Sequence, residues 1–129
     1  MVAVGSGGDG MIPQTTNEVG LALAQLGRDL DKTKDELNDA DMAATRAQEE
    51  RKVAEARALV AAEGRTGEER KAQATIATHE VRLDAEVKDA IVRGLTRQMR
   101  TLQSRIDVGR TLGAGIRKET ELGGYGRSA

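Results

Sequence analysis

Seven residues, Glu63-Gly64-Arg65-Thr66-Gly67-Glu68-Glu69, interrupt a proline-free helical pattern that otherwise extends from Thr15 to Leu122. Gly64 is a favoured left-handed helix stop, and Thr66 followed three residues later by Glu69 is a capping box. Together they predict that one long helix ends here and a second folds back along it. The predicted class is all-α: a long antiparallel two-helix coiled-coil hairpin that oligomerises into a larger helical assembly.

Composition supports extended helix over a compact core. The chain of 129 residues has no Cys, Trp or Phe, a single Tyr and a single His, while 32% of its residues are charged. Aromatic side chains dominate compact cores, whereas alanine and charge at helical spacing mark long helices. The lack of cysteine removes disulfide and thiolate chemistry. A net charge of −1 gives no bulk preference for an acidic or a basic partner. Met1 to Ile12 holds no Lys or Arg and no apolar run, so no secretory signal is expected. No stretch is apolar enough to predict a membrane span.

Residues 1–14 are glycine-rich and read as a flexible leader. Helix 1 is expected over about 15–63, opened by a threonine cap with Glu18, the turn over 64–67, helix 2 over about 67–122, and a flexible tail over 123–129. The inward positions of helix 1 step alternately by four and three, through Val19, Leu23, Leu26, Leu30, Thr33, Leu37, Ala40, Ala44, Ala47, Arg51, Ala54 and Ala58. Those of helix 2 read Ala72, Ile76, His79, Leu83, Val87, Ile91, Leu95, Met99, Leu102, Ile106, Gly109, Gly113 and Ile116, with steps of four between Leu83 and Met99 that predict a local departure from the heptad. A reversal at Arg65 and Thr66 then sets Ala40 on Ile91, Ala44 on Val87, Ala47 on Leu83 and Leu23 on Gly109, small against large. Arg51 falls opposite Glu80.

Little here suggests catalysis. His79 has no second histidine or cysteine to make a nucleophile-base pair or a zinc set. The many carboxylates sit beside Lys and Arg at helical spacing, as solvated surface pairs do. Gly5-Ser6-Gly7-Gly8-Asp9-Gly10 lacks the Gly-Lys-Ser/Thr of a phosphate loop. No catalytic residue, metal, cofactor or small-molecule substrate is predicted.

Two surfaces stand out. Where the termini meet, the small and apolar residues Gly20, Leu21, Ala24, Gly27, Gly109, Leu112 and Gly113 predict close backbone approach and hence self-association. Residues 93–118 hold seven bases against Asp107, whereas residues 28–50 hold eight acids against four bases. Arg93, Arg97, Arg100, Arg105, Arg110 and Lys118 are the candidate nucleic-acid contacts, because arginine suits bidentate phosphate binding. Arg110 and Arg117 flank the seam, where acids of helix 1 are in reach.

The run Leu95-Thr96-Arg97-Gln98-Met99-Arg100-Thr101-Leu102-Gln103-Ser104-Arg105-Ile106-Asp107-Val108-Gly109-Arg110 resembles the closing helix of small helical proteins encoded by bacteriophages. Over roughly residues 83–122 the layout also resembles the UvsY-type recombination mediators, which form rings, bind single-stranded DNA and help load a recombinase. The resemblance implies a homo-oligomeric accessory protein of the bacterial cytoplasm, acting on single-stranded DNA or a DNA-bound protein, with Arg97, Arg100, Arg105 and Arg110 as its basic residues. This chain departs from that pattern in its lack of aromatics for base stacking and in fusing the closing helix to the hairpin. The alternative is a structural or assembly component of a phage particle or other large complex that binds no nucleic acid.

Overall fold

The computed structural model describes residues 15–128, and the leader expected over 1–14 lies outside them. The described residues form three helices and no strand: α1 (Thr16–Ala61), α2 (Gly67–Ala77) and α3 (His79–Ser128). The two long helices, α1 and α3, pack against each other. None of the three is long and apolar enough to cross a membrane.

Local chemistry places the helix ends. The Thr15 hydroxyl accepts the Glu18 N–H at 3.1 Å and opens α1. At the other end, the Thr66 hydroxyl accepts the Glu69 N–H at 3.1 Å, while the Glu69 carboxylate takes the N–H of Arg65 at 2.8 Å. That reciprocal bond reaches one residue further back than in the usual capping box. Gln73 Oε1 accepts the Glu63 N–H at 3.0 Å and Arg70 Nη1 donates to the Gly64 carbonyl at 3.2 Å, so side chains of α2 satisfy the backbone on both sides of the connection.

Gly64 departs from its expected role. No glycine among the described residues has a positive φ, so it is not a left-handed stop. A Cβ there would instead lie 2.7 Å from Glu69 Cβ and 2.8 Å from Arg70 N. The residue is small because the start of α2 passes too close for a side chain.

The second half is not one helix ending at Leu122. It breaks at Thr78, whose φ and ψ are −107° and 13°. The Thr78 hydroxyl donates to the Ala74 carbonyl at 2.7 Å, a back-bond that bends helices, and Arg82 Nη2 donates to the Thr75 carbonyl at 3.1 Å. At its far end α3 runs through Gly123 and Gly124 to Ser128, since neither glycine takes the positive φ that terminates a helix.

Packing divides the chain into two compact units. The first combines the described residues of Met1–Asp31 with those of Arg100–Ala129. In it, the Cβ position of Gly109 is 2.7 Å from Leu23 Cδ2, and that of Gly113 is 3.2 Å from Val19 Cγ1. Large residues of α1 seat on glycines of α3, the expected small-against-large pattern, and Val19 and Leu102 are buried.

The second unit is Lys32–Met99. Here Gln98 Nε2 donates to the buried Thr33 hydroxyl at 3.2 Å, and Gln48 Nε2 donates to Asp89 Oδ2 at 2.6 Å. Such part-buried polar bonds pin register, because a slip would leave their groups unpaired. The expected inner positions of α1 all prove buried or half-buried. Those expected at Ala72, Ile76, His79, Leu83, Val87 and Ile91 do not; all six are exposed.

The inner face is instead Ala74, Thr78, Val81, Ala85, Lys88, Val92, Leu95 and Met99, with steps of four and three throughout. The expected departure from the heptad is therefore absent from the buried face. Ala47 of α1 and Ala85 of α3 are the most deeply buried positions of this unit, at 1% and 0% exposed. Alanine on both helices lets the axes approach toward the lower end of the usual range of about 8–10 Å, and a leucine there would hold them apart. The expected layers Ala40–Ile91, Ala44–Val87 and Ala47–Leu83 do not form. Arg51 does not meet Glu80 either; its Nε lies 3.6 Å from Glu55 Oε1 on its own helix.

Candidate self-association and nucleic-acid surfaces

The residues expected to drive self-association separate by helix. Gly109 and Gly113 are covered by Leu23 and Val19, so their small size serves packing within the chain. Leu112 is half-buried. Gly20, Leu21 and Ala24 are exposed, and nothing lies within 4 Å of a Cβ built at Gly20 or Gly27. The open members of the set are those on α1.

All six candidate basic residues are exposed. Arg93 and Arg97 belong to the second unit; Arg100, Arg105, Arg110 and Lys118 belong to the first. Arg110 Nη1 lies 4.0 Å from Asp107 Oδ1 on its own helix, with both side chains about three-quarters exposed, a pair of little energetic weight. Within the first unit Arg110 and Arg117 line a groove with Thr16, Val19, Gly20, Leu23 and Gly113. This groove abuts the N-terminus of α1, whose first-turn amides add partial positive charge. Thr16 and Arg117 were absent from the sequence-based candidates. The seven-residue spacing of Arg110 and Arg117 was visible, but their nearness to the α1 cap depends on the helix pairing.

The second unit offers a different surface. Ile76, Leu83, Val87 and Ile91 are 77%, 49%, 50% and 50% exposed, although they are among the largest apolar side chains of the chain. At about 100° per residue, Leu83, Val87 and Ile91 fall within roughly 80° of one another, and Val87 lies about 160° from Ala85. The stripe faces away from the buried alanines. A separate groove beside α1, lined by Val53, Ala54 and Val81 and edged by Glu49, Glu50 and Arg57, gathers no catalytic set. Among the described residues, no group of three or more His, Cys, Asp or Glu is placed to hold a metal.

No family model, curated protein or solved structure matches the chain significantly.

Proposed function

We propose that the protein is a non-enzymatic, self-assembling scaffold in which α1 and α3 form an antiparallel coiled-coil hairpin. The observation that carries this reading is the inversion within Lys32–Met99, where alanines are buried and Ile76, Leu83, Val87 and Ile91 are exposed. An alanine seam removes little apolar surface from water, at about 25 cal/mol per Å². Long apolar side chains left in water on one stripe are the usual mark of a surface that another chain covers. Light scattering across a dilution series tests it: the mass should exceed that of one 13.8 kDa chain at micromolar concentration and fall on dilution. A constant single-chain mass at high micromolar concentration overturns the reading.

We further propose that the scaffold works on single-stranded DNA or on a protein bound to it, as a phage-type mediator of the kind its basic segment resembles. Support comes from the exposed arginines and from the groove in which Arg110 and Arg117 stand beside the α1 N-terminus. Guanidinium groups and helix-end amides together suit a phosphate. Several copies in one assembly would multiply a weak contact. Fluorescence anisotropy with a labelled oligonucleotide should give affinity that falls steeply with salt. Replacing both Arg110 and Arg117 by alanine should flatten the log–log slope by about 0.7 for each phosphate that is no longer neutralised. Absence of salt-dependent binding by the assembled protein favours the structural-component alternative.

A further inference from the structure

We propose that Arg82 is a latch that holds a helix broken at Thr78, and that its release joins α2 and α3 into one continuous helix. The latch lies wholly within Lys32–Met99 and acts whether or not the chain self-associates.

Two donors compete for one carbonyl. In an unbroken helix the Thr75 carbonyl would accept the N–H of His79, four residues on. Here it accepts Arg82 Nη2 at 3.1 Å and the Thr78 hydroxyl at 3.4 Å. The backbone ladder stops at the Thr78 N–H, which bonds the Ala74 carbonyl at 3.1 Å. It resumes at the Arg82 N–H, which bonds the Thr78 carbonyl at 3.0 Å. Between them the N–H groups of His79, Glu80 and Val81 form the open first turn of α3.

The usual causes of a break do not account for this one. Residues 74–82 contain neither proline nor glycine. A threonine back-bond is not sufficient either. Thr45, Thr96, Thr111 and Thr120 each donate to the carbonyl four residues back, at 2.8 to 3.0 Å, and α1 and α3 run on unbroken through all four. What sets Thr78 apart is the guanidinium that reaches back seven residues to the carbonyl His79 would need. A charged donor makes a stronger hydrogen bond than a neutral amide. Among the described residues Arg82 makes no ion pair, so no carboxylate draws it away.

The closed form needs no change of face. Ala74, Thr78, Val81 and Ala85 keep steps of four and three across the break, so a continuous helix turns the same residues inward. The two forms differ chiefly in which donor holds Thr75.

Site-resolved amide hydrogen exchange tests the latch. Arg82→Met keeps the apolar stem and removes the donor; Arg82→Gln is too short to reach Thr75 and serves if the methionine variant folds poorly. In the wild type, His79, Glu80 and Val81 should exchange about tenfold or more faster than Ala85. In either variant these three should slow by about tenfold or more, with Ala85 unchanged. A residue that merely stabilised the helix would speed exchange when removed. Wild-type amides at 79–81 as protected as Ala85 overturn the latch. So does a variant of normal helical circular dichroism in which the three exchange as fast as before, or faster.

Discussion

Replacing Ala85 by leucine is expected to destabilise the protein by about 1–3 kcal/mol, the cost of forcing methylenes into a packed interior. Ala85 is fully buried, and Ala47, Ala44 and Ala74 are buried around the same inner face. Leucine at that layer must push α1 and α3 apart, and the loss then spreads to neighbouring alanine layers. The companion substitution Leu83→Ala should change monomer stability by no more than about 0.5 kcal/mol, as is usual at exposed positions. Had Leu83 been the inner residue, its truncation would cost about 2–5 kcal/mol. Urea unfolding followed by circular dichroism, at a dilution where the chain is monomeric, separates the two cases by their order.

Gly64→Ala should also destabilise, by about 1–3 kcal/mol. Alanine in place of glycine at an unstrained position usually helps by about 0.4–1 kcal/mol, because the unfolded chain loses freedom. At Gly64 the new methyl would meet Glu69 Cβ at 2.7 Å and the backbone N of Arg70 at 2.8 Å. Backbone cannot swing aside as the end of a side chain can, so the start of α2 must shift. That shift strains the Glu69–Arg65 and Arg70–Gly64 hydrogen bonds together. Gly67→Ala is the control: nothing lies within 4 Å of its Cβ position, and thermal melts should show it unchanged or slightly stabilised.

Much of α1 was legible in advance. Thr15 and Thr66 cap as their side chains suggest, and each residue chosen for the α1 interior is buried or half-buried. Only one apolar stripe runs along that helix at heptad spacing, so periodicity had a single solution. The stretch from Ala72 to Ile91 had two. One was a row of large apolar residues; the other was a row of alanine, threonine, valine and one half-buried lysine, Lys88, that keeps the four-three rhythm. Hydrophobicity favours the first, but the partner face opposite is already alanine. Close approach of two small-residue faces then sends the larger side chains outward.

The candidate surfaces divide in the same way. That Arg93, Arg97, Arg100, Arg105, Arg110 and Lys118 are exposed follows from charge alone, since burying an unpaired cation is costly. Whether Gly109 and Gly113 serve an outside partner or their own chain depends on what stands against them, and Leu23 and Val19 stand there. The pairing of Arg117 with the α1 terminus in one groove likewise appears only once the helices are packed.

By itself, then, the sequence determined helix, the break between Ala61 and Gly67 and the inner stripe of α1, because caps, breaks and heptads act over a few neighbouring residues. Tertiary structure alone decided which of two stripes along α2 and α3 turns inward. That choice depends on the distance between two helix axes, which side chains from both helices set jointly.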